Sequence, residues 1–527
     1  MPYIERGDNE AVIQKFGGGV HTRASEEDIM DRESGQGGEN YRLDPSNREF
    51  RPRKGFDYIV TAPDGNAITG MINLVKQDEV KMAVSTAGGN VYEYTGGVFG
   101  APIATGLDVN AKLRGRIEHN VEIDGVVIVT DVAGQEVLYE WDGATFSPVA
   151  HNLTGDLRAK YAFVSDERLW LGNVHNNGND TPHAVIASQV DDYKVLSTTK
   201  PTSALGDGDP FWLLMPDLRP INGMVEAYGR RVFSTSNGQI SELTGDVGSN
   251  FKIDDFYPRS GASGDESLLF IGNDIVYGRR GRIESLRATD QFGDVESNDM
   301  SQLISDDIEK YINWTNVYNS RTQQVLFIPE NQSLAWNYSK PVAEKTELSP
   351  WVKYTTKHSM GFNPTCIMNM IDPDDGLEYV FMGDADGNFY RLEGEQPGDA
   401  GEDISSVFVG QLKSMPTTGN MANFDGYIRY RKDISYDVNV TFIFSGRRAN
   451  DETIQVNIEE DLGGSFYGQN IYYGGNNYYG GQLSGRLFEK YIGQVGQGEA
   501  FQVKLQIETK ADFRVNEVGF RFQTNFT

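Results

Sequence analysis

The chain has 527 residues, of which 38% are hydrophobic and 23% charged, and its 76 acidic against 47 basic residues give a formal net charge of −29. This length exceeds one ordinary domain and supplies enough apolar residues for a large core. The acidic excess argues against a dedicated binder of duplex nucleic acid, which needs Lys and Arg opposite the phosphates. No apolar run predicts a membrane span, and the single cysteine, Cys366, excludes an internal disulfide and fits a reducing compartment.

The N-terminal segment, residues 1–50, is polar, charged and poor in alternating apolar residues. This composition predicts an extended arm rather than a packed domain. The arm contains an acidic run that includes Glu26, Glu27 and Asp28.

Residues 51–404 repeat one pattern, in which two β-rich runs flank a short turn containing Gly or Asn. "VYEYTGGVF" at 91–99 and "LYEWDGATF" at 138–146 are nearly the same text, and looser copies follow up to "EYVFMGDADGNFYRL" at 378–392. Turns such as S-N-G, R-R-G and A-D-G between such runs are typical of β-hairpins. We expect the second strands of these hairpins to begin near residues 91, 138, 185, 240, 283, 334 and 389.

A repeat of about 40–55 residues with several short strands is typical of β-propeller blades. A four-stranded blade cannot bury both of its faces alone, and radial packing covers them while leaving only short edges. The sequence therefore predicts an all-β chain with a β-propeller over 51–404, of about seven blades, with six to eight compatible. A β-sandwich array or a β-helix is the alternative architecture, because the repeat carries no W-D or kelch signature.

The C-terminal region, residues 405–527, continues with β-rich runs. In "FQVKLQIE" the residues Phe501, Val503, Leu505 and Ile507 alternate with polar ones, which predicts a β-sandwich-like domain. The tract 463–485 is too rich in Gly for a core strand, so we expect a projecting loop whose aromatic rings contact proteins or stack on sugars or bases. The candidate contact residues are Tyr467, Tyr472, Tyr473, Tyr478 and Tyr479.

No motif of a known catalytic centre is present, and the metal-like patterns are weak. In "DADGNFYRLEGE" (384–395), Asp384, Asp386 and Asn388 take ligand positions of a calcium loop, but Phe389 stands where that loop requires Gly. A hairpin turn explains the same residues, so we expect no metal or other cofactor. Paired carboxylates of the glycoside-hydrolase type depend on separation in space, which a sequence does not supply. We expect a protein that is not an enzyme.

Two segments carry a family likeness. Residues 16–56 combine a Gly-rich start, an acidic stretch and the basic step "RPRKG", and residues 253–286 form a blade-like segment that ends in "RRGRIESL". Over residues 16 to about 400 the chain resembles the tail nozzle, or packaged-DNA stabilisation, proteins of short-tailed (podovirus-like) bacteriophages. The matching residues of the first segment are Gly17, Gly18, Glu33, Asn40, Arg51, Arg53 and Gly55.

The resemblance implies a structural virion protein located in the phage tail after assembly in the host cytoplasm. It implies a propeller subunit, usually in six copies, whose ring closes the DNA channel and conducts the genome during ejection. The implied partners are further copies of the chain, adaptor or portal-side proteins, tail fibres, and duplex DNA that passes without sequence-specific binding. An acidic lumen would repel phosphate. The candidate lumen residues are Glu26, Glu27, Asp28, Asp306 and Asp307.

The alternative function is a carbohydrate-binding or carbohydrate-cleaving β-propeller, such as a receptor-binding tail component. It would use the aromatic loop 463–485 or a pair of carboxylates.

Overall fold

The computed structural model divides into two compact units. Unit 1 contains Met1–Gly55, Trp336–His358 and Gly394–Thr527, and unit 2 contains Phe56–Ala335 and Ser359–Glu393. The described residues are 12–14, 16–22, 35–43, 49–76, 79–109, 111–113, 126–129, 138–155, 157–176, 179–201, 205–227, 229–236, 238–245, 250–257, 261–265, 267–272, 274–288, 295–345, 348–393, 398–410, 413–414, 422–431, 436–445, 452–458, 487–498, 500–510 and 512–524.

Unit 2 is a β-propeller. Five of its antiparallel sheets have four strands each, and we number them blades I to V in chain order. Blade I consists of Ile68–Lys76, Glu79–Thr86, Val91–Thr95 and Val98–Ala104; blade II of Leu157–Ser165, Arg168–Asn176, Asn179–Ala187 and Phe211–Leu214; blade III of Ile221–Ala227, Arg230–Thr235, Ile240–Thr244 and Lys252–Tyr257; blade IV of Leu268–Ile271, Asp274–Arg279, Arg282–Ala288 and Val295–Asp299; blade V of Cys366–Ile371, Glu378–Gly383, Asn388–Leu392 and Phe56–Thr61.

Hydrogen bonds between the first strand of unit 2 and a strand near its end close the propeller. Phe56–Thr61, at the start of unit 2, pairs with Asn388–Leu392 near its end and supplies the fourth strand of blade V. The first strands of blades V and I contact each other, as do those of blades II and III and of blades III and IV. A hydrophobic cluster that includes Ile68, Phe381 and Phe389 fills the space between blades I and V. Burial of these apolar faces is what a single blade cannot achieve alone.

The predicted all-β propeller is confirmed, although the blade count differs. The second hairpin strands begin close to the predicted positions, at Val91, Leu138, Asn179, Ile240, Arg282, Leu334 and Asn388. The described residues nevertheless contain five complete four-stranded blades, not about seven. The other two predicted repeats correspond to a sheet with three described strands and to a segment that includes the paired strands Trp314–Asn319 and Gln324–Pro329. The three-stranded sheet consists of Val126–Val129, Leu138–Trp141 and Phe146–Pro148.

Blades I and III each contain an equivalent Asp–Thr hydrogen bond, which fixes the loop before the first strand of the blade. The Asp64 carboxylate accepts a hydrogen bond from the Thr86 hydroxyl at 2.6 Å, and Asp217 accepts one from Thr235 at 2.6 Å. Each aspartate follows a proline before the first strand of its blade, within the shared pattern P-D-x-x-x-I-x-G at 63–70 and 216–223. The contact joins the entry of the first strand to the end of the second, so repeated letters here encode a repeated structure.

Unit 1 consists largely of two sheets. The first has the strands, in spatial order, Val12–Gln14, Val515–Thr524, Ala422–Arg431 and Leu487–Gly498; the second has Leu334–Ser339, Trp351–Thr355, Gly37–Glu39, Ile404–Val409, Ala500–Thr509, Tyr436–Ser445 and Glu452–Ile458, with Lys413–Ser414 beside Ala500–Thr509. Leu487–Gly498 of the first sheet contacts Tyr436–Ser445 of the second. Val503, Leu505 and Ile507 are buried, as their alternation predicts.

The N-terminal arm adds strands to both sheets of unit 1. Gly37–Glu39 pairs in parallel with Trp351–Thr355 and in antiparallel fashion with Ile404–Val409. The observed units therefore differ from the predicted boundaries at 50/51 and 404/405, because strand pairing collects segments that are distant along the chain. Gly55 lies so close to the backbone of Gly398 that an added Cβ would stand 1.7 Å from its carbonyl oxygen.

Helices are few and short in the described residues. A 3-10 turn spans Gln302–Ile304, and α-helices span Ser305–Ile308 and Lys340–Lys345. Within the described part of the chain, no helix has the length and apolar character needed to cross a bilayer.

Candidate functional site

The best-defined polar site of unit 1 is an ion pair between Arg53 and Asp399. Both side chains are 1% exposed. Arg53 Nη1 donates to Asp399 Oδ1 at 2.7 Å, and Nη2 donates to Oδ2. The remaining guanidinium hydrogens go to Asn40 Oδ1 at 3.0 Å, the Lys54 carbonyl at 3.0 Å and the Thr355 carbonyl at 2.9 Å. All five N–H donors of the arginine are therefore satisfied, as burial of this charge requires.

Asn40 is the second member of this network. Its backbone has a φ of 60°, a left-handed conformation that Asn tolerates better than most residues. Its Oδ1 also accepts from the Thr355 N–H at 2.8 Å, while its Nδ2 donates to Thr355 Oγ1 and to the Ser405 carbonyl, both at 2.9 Å. The Asn40 side chain thus joins its own segment to two others of unit 1, which lie 315 and 365 residues away in sequence.

Among the matching residues of 16–56, Asn40 and Arg53 belong to this network, and Gly55 lies against Gly398, next to Asp399. Arg51 Nη2 donates to Asp512 Oδ2 at 2.6 Å, and Gly55 packs directly on the backbone. Gly17 and Gly18 are buried. Glu33, the remaining match, lies outside the described residues. The described matching residues of 16–56 therefore lie where unit 1 is buried or hydrogen-bonded.

A second polar cluster lies on blade V of unit 2. The guanidinium carbons of Arg321 and Arg391 stand 4.4 and 4.6 Å from the centre of the Tyr379 ring, a cation–π geometry. The Tyr379 hydroxyl donates to Asp375 Oδ2 at 2.6 Å, and this hydrogen bond raises the pKa of the tyrosine. Burial by itself raises the pKa of Asp375, but bonds from Tyr379 and the Leu377 N–H and the nearby guanidiniums lower it overall.

Asp372 is the buried carboxylate of the same cluster. Its Oδ2 lies 3.2 Å from Arg391 Nη1, and its side chain is 2% exposed. Burial raises the pKa of Asp372, and the charges of Asp374 and Asp375 raise it further, against the lowering effects of Arg391 and the Asp374 N–H. These opposite charges fix the loop between the strands Cys366–Ile371 and Glu378–Gly383 of blade V. The carboxylates of Asp372 and Asp375 are engaged by Arg391 and Tyr379 of the same chain.

The residues of the calcium-like pattern form a hairpin turn in blade V. Asp384 Oδ1 accepts from the N–H groups of Asp386 and Asn388 at 2.9 and 2.8 Å, and Oδ2 accepts from Asn388 Nδ2 at 3.0 Å and the Tyr390 hydroxyl at 2.8 Å. The Asp384 N–H donates to the Asn388 carbonyl at 3.1 Å. In the corresponding turn of blade I, the Thr86 N–H donates to the Asn90 carbonyl at 3.0 Å. Both carboxylate oxygens of Asp384 are thus engaged in holding the turn.

The other predicted site residues are placed as follows. Asp306 is exposed and Asp307 is half-buried, both on the short helix Ser305–Ile308 of unit 2. The remaining lumen and partner-contact candidates lie outside the described residues: Glu26, Glu27, Asp28, Tyr467, Tyr472, Tyr473, Tyr478 and Tyr479.

The chemistry of these clusters is that of structural charge pairing. In the part of the chain that the structure describes, no group of three or more His, Cys, Asp or Glu side chains is arranged to hold a metal ion. The sequence pointed to Arg53 through the family likeness, but no local signal marks Asp399, which is 346 residues away. The Tyr379 cluster was missed as well, because its arginines come from separate strands and loops.

Comparison with known proteins identifies no family for this chain. No family model and no curated protein matches the sequence. Similar solved structures are BBS1N in complex with ARL6DN, at 8% identity and a TM-score of 0.40 over 65% of this chain and 98% of that chain, and the Cps50 (Swd1) β-propeller domain of Myceliophteria thermophila, at 9% and 0.40 over 64% and 99%. The computationally designed protein Ika8 matches at 11% and 0.33 over 64% and 99%.

Proposed function

We propose that this chain is a structural subunit of a short-tailed phage tail nozzle, which closes the DNA channel and conducts the genome during ejection. The proposal combines the family likeness of residues 16–56 and 253–286, the propeller fold of unit 2 and the net charge of −29. It assigns the chain no catalytic turnover.

The observation that carries the proposal is the position of the residues responsible for the likeness. Asn40 is 2% exposed and makes hydrogen bonds to two distant segments, and Arg53 is buried with every donor satisfied. Gly55 has no room for a side chain. A chance likeness would fall on positions without regard to their burial. A likeness on positions that fix the architecture supports a shared structure.

The charge of the chain suits a passage for DNA. Six copies would carry six times −29, or −174, formal charges. Contacts between phosphates and basic side chains hold DNA in place, and each such contact slows sliding. Screening limits the effect of an exposed acid to about 8 Å at physiological salt, so only acids at the lumen surface act on passing DNA. Asp306 has the exposure that such a role requires.

Negative-stain imaging of the purified full chain and of particles that contain it tests the proposal directly. We expect rings of propeller-shaped subunits at the distal end of the tail. A stable monomer that cleaves oligosaccharides would refute the structural assignment and favour the carbohydrate-active alternative.

Duplex DNA binding provides an independent test. Fluorescence polarisation of labelled duplex DNA should not rise when the protein is added, at low or at physiological salt, because the acidic surface repels the phosphates. Tight binding with a steep salt dependence would contradict the proposed passive conduit. A basic phage DNA-binding protein serves as the positive control.

A further inference from the structure

The outer edges of blades I and V form an exposed surface almost without charge. We call it the seam surface and define it as the exposed side of the edge strands Phe56–Thr61 and Val98–Ala104. Tyr58 is 49% exposed and Val98 55% exposed, and these are two of the six large hydrophobic residues that stand out to solvent in the described residues. Gly100, Ala101 and Pro102 are exposed beside them.

The two strands are neighbours in unit 2. They contact each other, and the side chains that they turn inward, Ile59, Val60 and Phe99, pack on one hydrophobic cluster between blades I and V. The Phe99 ring lies 5.6 Å from that of Phe389. The inner faces thus pack between blades I and V, while Tyr58, Val98, Ala101 and Pro102 are exposed on the outward side.

Charge is excluded from this area in a chain that is otherwise rich in it. No charged residue occurs in 58–63 or in 95–107, although 23% of all residues are charged. The nearest acid in the strands, Asp57, is 13% exposed and faces Arg391. Asp374 accepts a hydrogen bond from the Gly96 N–H at 2.6 Å and marks the polar end of the surface. An apolar centre with a polar border is the layout of a protein interface.

The net charge indicates which partner this surface fits. Two copies of a chain with a charge of −29 repel each other, and the repulsion is smallest where no acid lies at the contact. A basic partner would instead be attracted to the acidic faces, where charge pairing is available. A neutral, apolar face on a strongly acidic chain therefore suits a partner of the same charge.

We propose that the seam surface is a contact between copies of this chain. The inference deepens the proposed function and rests on it only for the formation of a ring, since the contact itself follows from exposure and charge. The contact is made by side chains rather than by strand addition. Pro102 lacks an N–H, and two register shifts between Val91–Thr95 and Val98–Ala104 distort the edge that an added strand would need.

Sedimentation velocity of the full chain over a wide range of protein concentration tests the contact. The wild type should associate beyond its 58.6 kDa monomer mass, and more strongly at high salt, because salt screens the repulsion between copies. Val98→Glu and Val98→Lys should each weaken association at least about tenfold, since either charge would be buried at the contact. The matched control is Ile312→Glu, which charges an equally exposed apolar residue (50%) and should leave association unchanged.

The outcomes separate this inference from the proposed function. A wild type that stays monomeric at high salt, or Val98 variants that associate as the wild type does, would overturn the seam contact. If rings form and the Val98 variants still form them, the nozzle proposal stands and the contact lies elsewhere. If association depends on Val98 but gives only dimers without a ring, the contact stands and the nozzle proposal fails. Ala101→Glu, on the same strand, replaces Val98→Glu if that variant does not fold.

Discussion

Removing one charge of the buried Arg53–Asp399 pair is the sharpest test of how unit 1 is held together. Asp399→Asn keeps the size of the side chain but leaves the guanidinium without its counter-ion and turns an amide N–H₂ toward its donors. Both side chains are 1% exposed, so water does not replace the lost partner. Breaking such a buried pair costs about 3–5 kcal/mol. The comparable surface pair, Arg51 with Asp512 at 2.6 Å, has an acid that is 41% exposed, so Asp512→Asn should cost at most about 1 kcal/mol.

Hydrogen exchange by mass spectrometry measures this effect where it arises. At about 1.4 kcal/mol per tenfold change, Asp399→Asn should speed exchange in Trp351–Thr355 and Ile404–Val409 by about a hundredfold or more. Exchange in blade III, within unit 2, provides the internal reference and should not change. Equal, small effects of Asp399→Asn and Asp512→Asn would refute the reasoning, because they would mean that the buried pair is solvated or contributes no more than a surface pair.

Three further predictions use chemical denaturation. Gly55→Ala should destabilise unit 1 by about 1–3 kcal/mol or more through the steric overlap at that position. Gly100→Ala should stay within about 0.5 kcal/mol, because an added Cβ would lie 3.7 Å from the Glu93 carbonyl oxygen, an ordinary van der Waals contact. Thr86→Val and Thr235→Val should each cost about 1.5–3 kcal/mol, because each removes a hydrogen bond to a carboxylate, and unequal effects would show that the two blades differ. Asp372 has a raised pKa in the folded state, so its contribution to stability is fully present below about pH 3.9 and is lost as the pH rises through the folded-state pKa. The denaturation midpoint of Asp372→Asn should therefore rise relative to that of the wild type as the pH increases above about 3.9, and a parallel pH dependence of the two proteins would contradict the pKa shift.

The propeller was predictable because its signals are local. "VYEYTGGVF" reads as two strands with a tight turn, and the structure pairs Thr95 with Val98 across that turn. The alternation of Val503, Leu505 and Ile507 likewise reports one buried face. The hairpin pattern shows how many hairpins the chain forms, but it does not show which other strands join each sheet. For this reason the sequence predicts about seven blades, whereas the described residues contain five with four strands each.

The candidate sites were less predictable because they join distant segments. The "DADG" residues could be read as a turn, and the turn geometry accounts for their hydrogen bonds. The partner of Arg53 could not be read at all, since it lies in a loop 346 residues away. Composition predicts an extended arm rather than a packed domain, and in the structure Gly37–Glu39 of this arm joins a sheet, since backbone pairing requires little of the side chains.

By itself, the sequence determined the class of the protein: short-range alternation and Gly turns specify hairpins, and a 527-residue chain of hairpins with a charge of −29 folds into acidic all-β units. Only the tertiary structure decided which ends meet, because Phe56–Thr61 closes blade V and Asp399 neutralises Arg53 through contacts that no local pattern encodes. The physical reason is that local geometry is fixed by neighbouring residues, whereas burial of charge and of apolar faces depends on whatever segment fills the adjoining space.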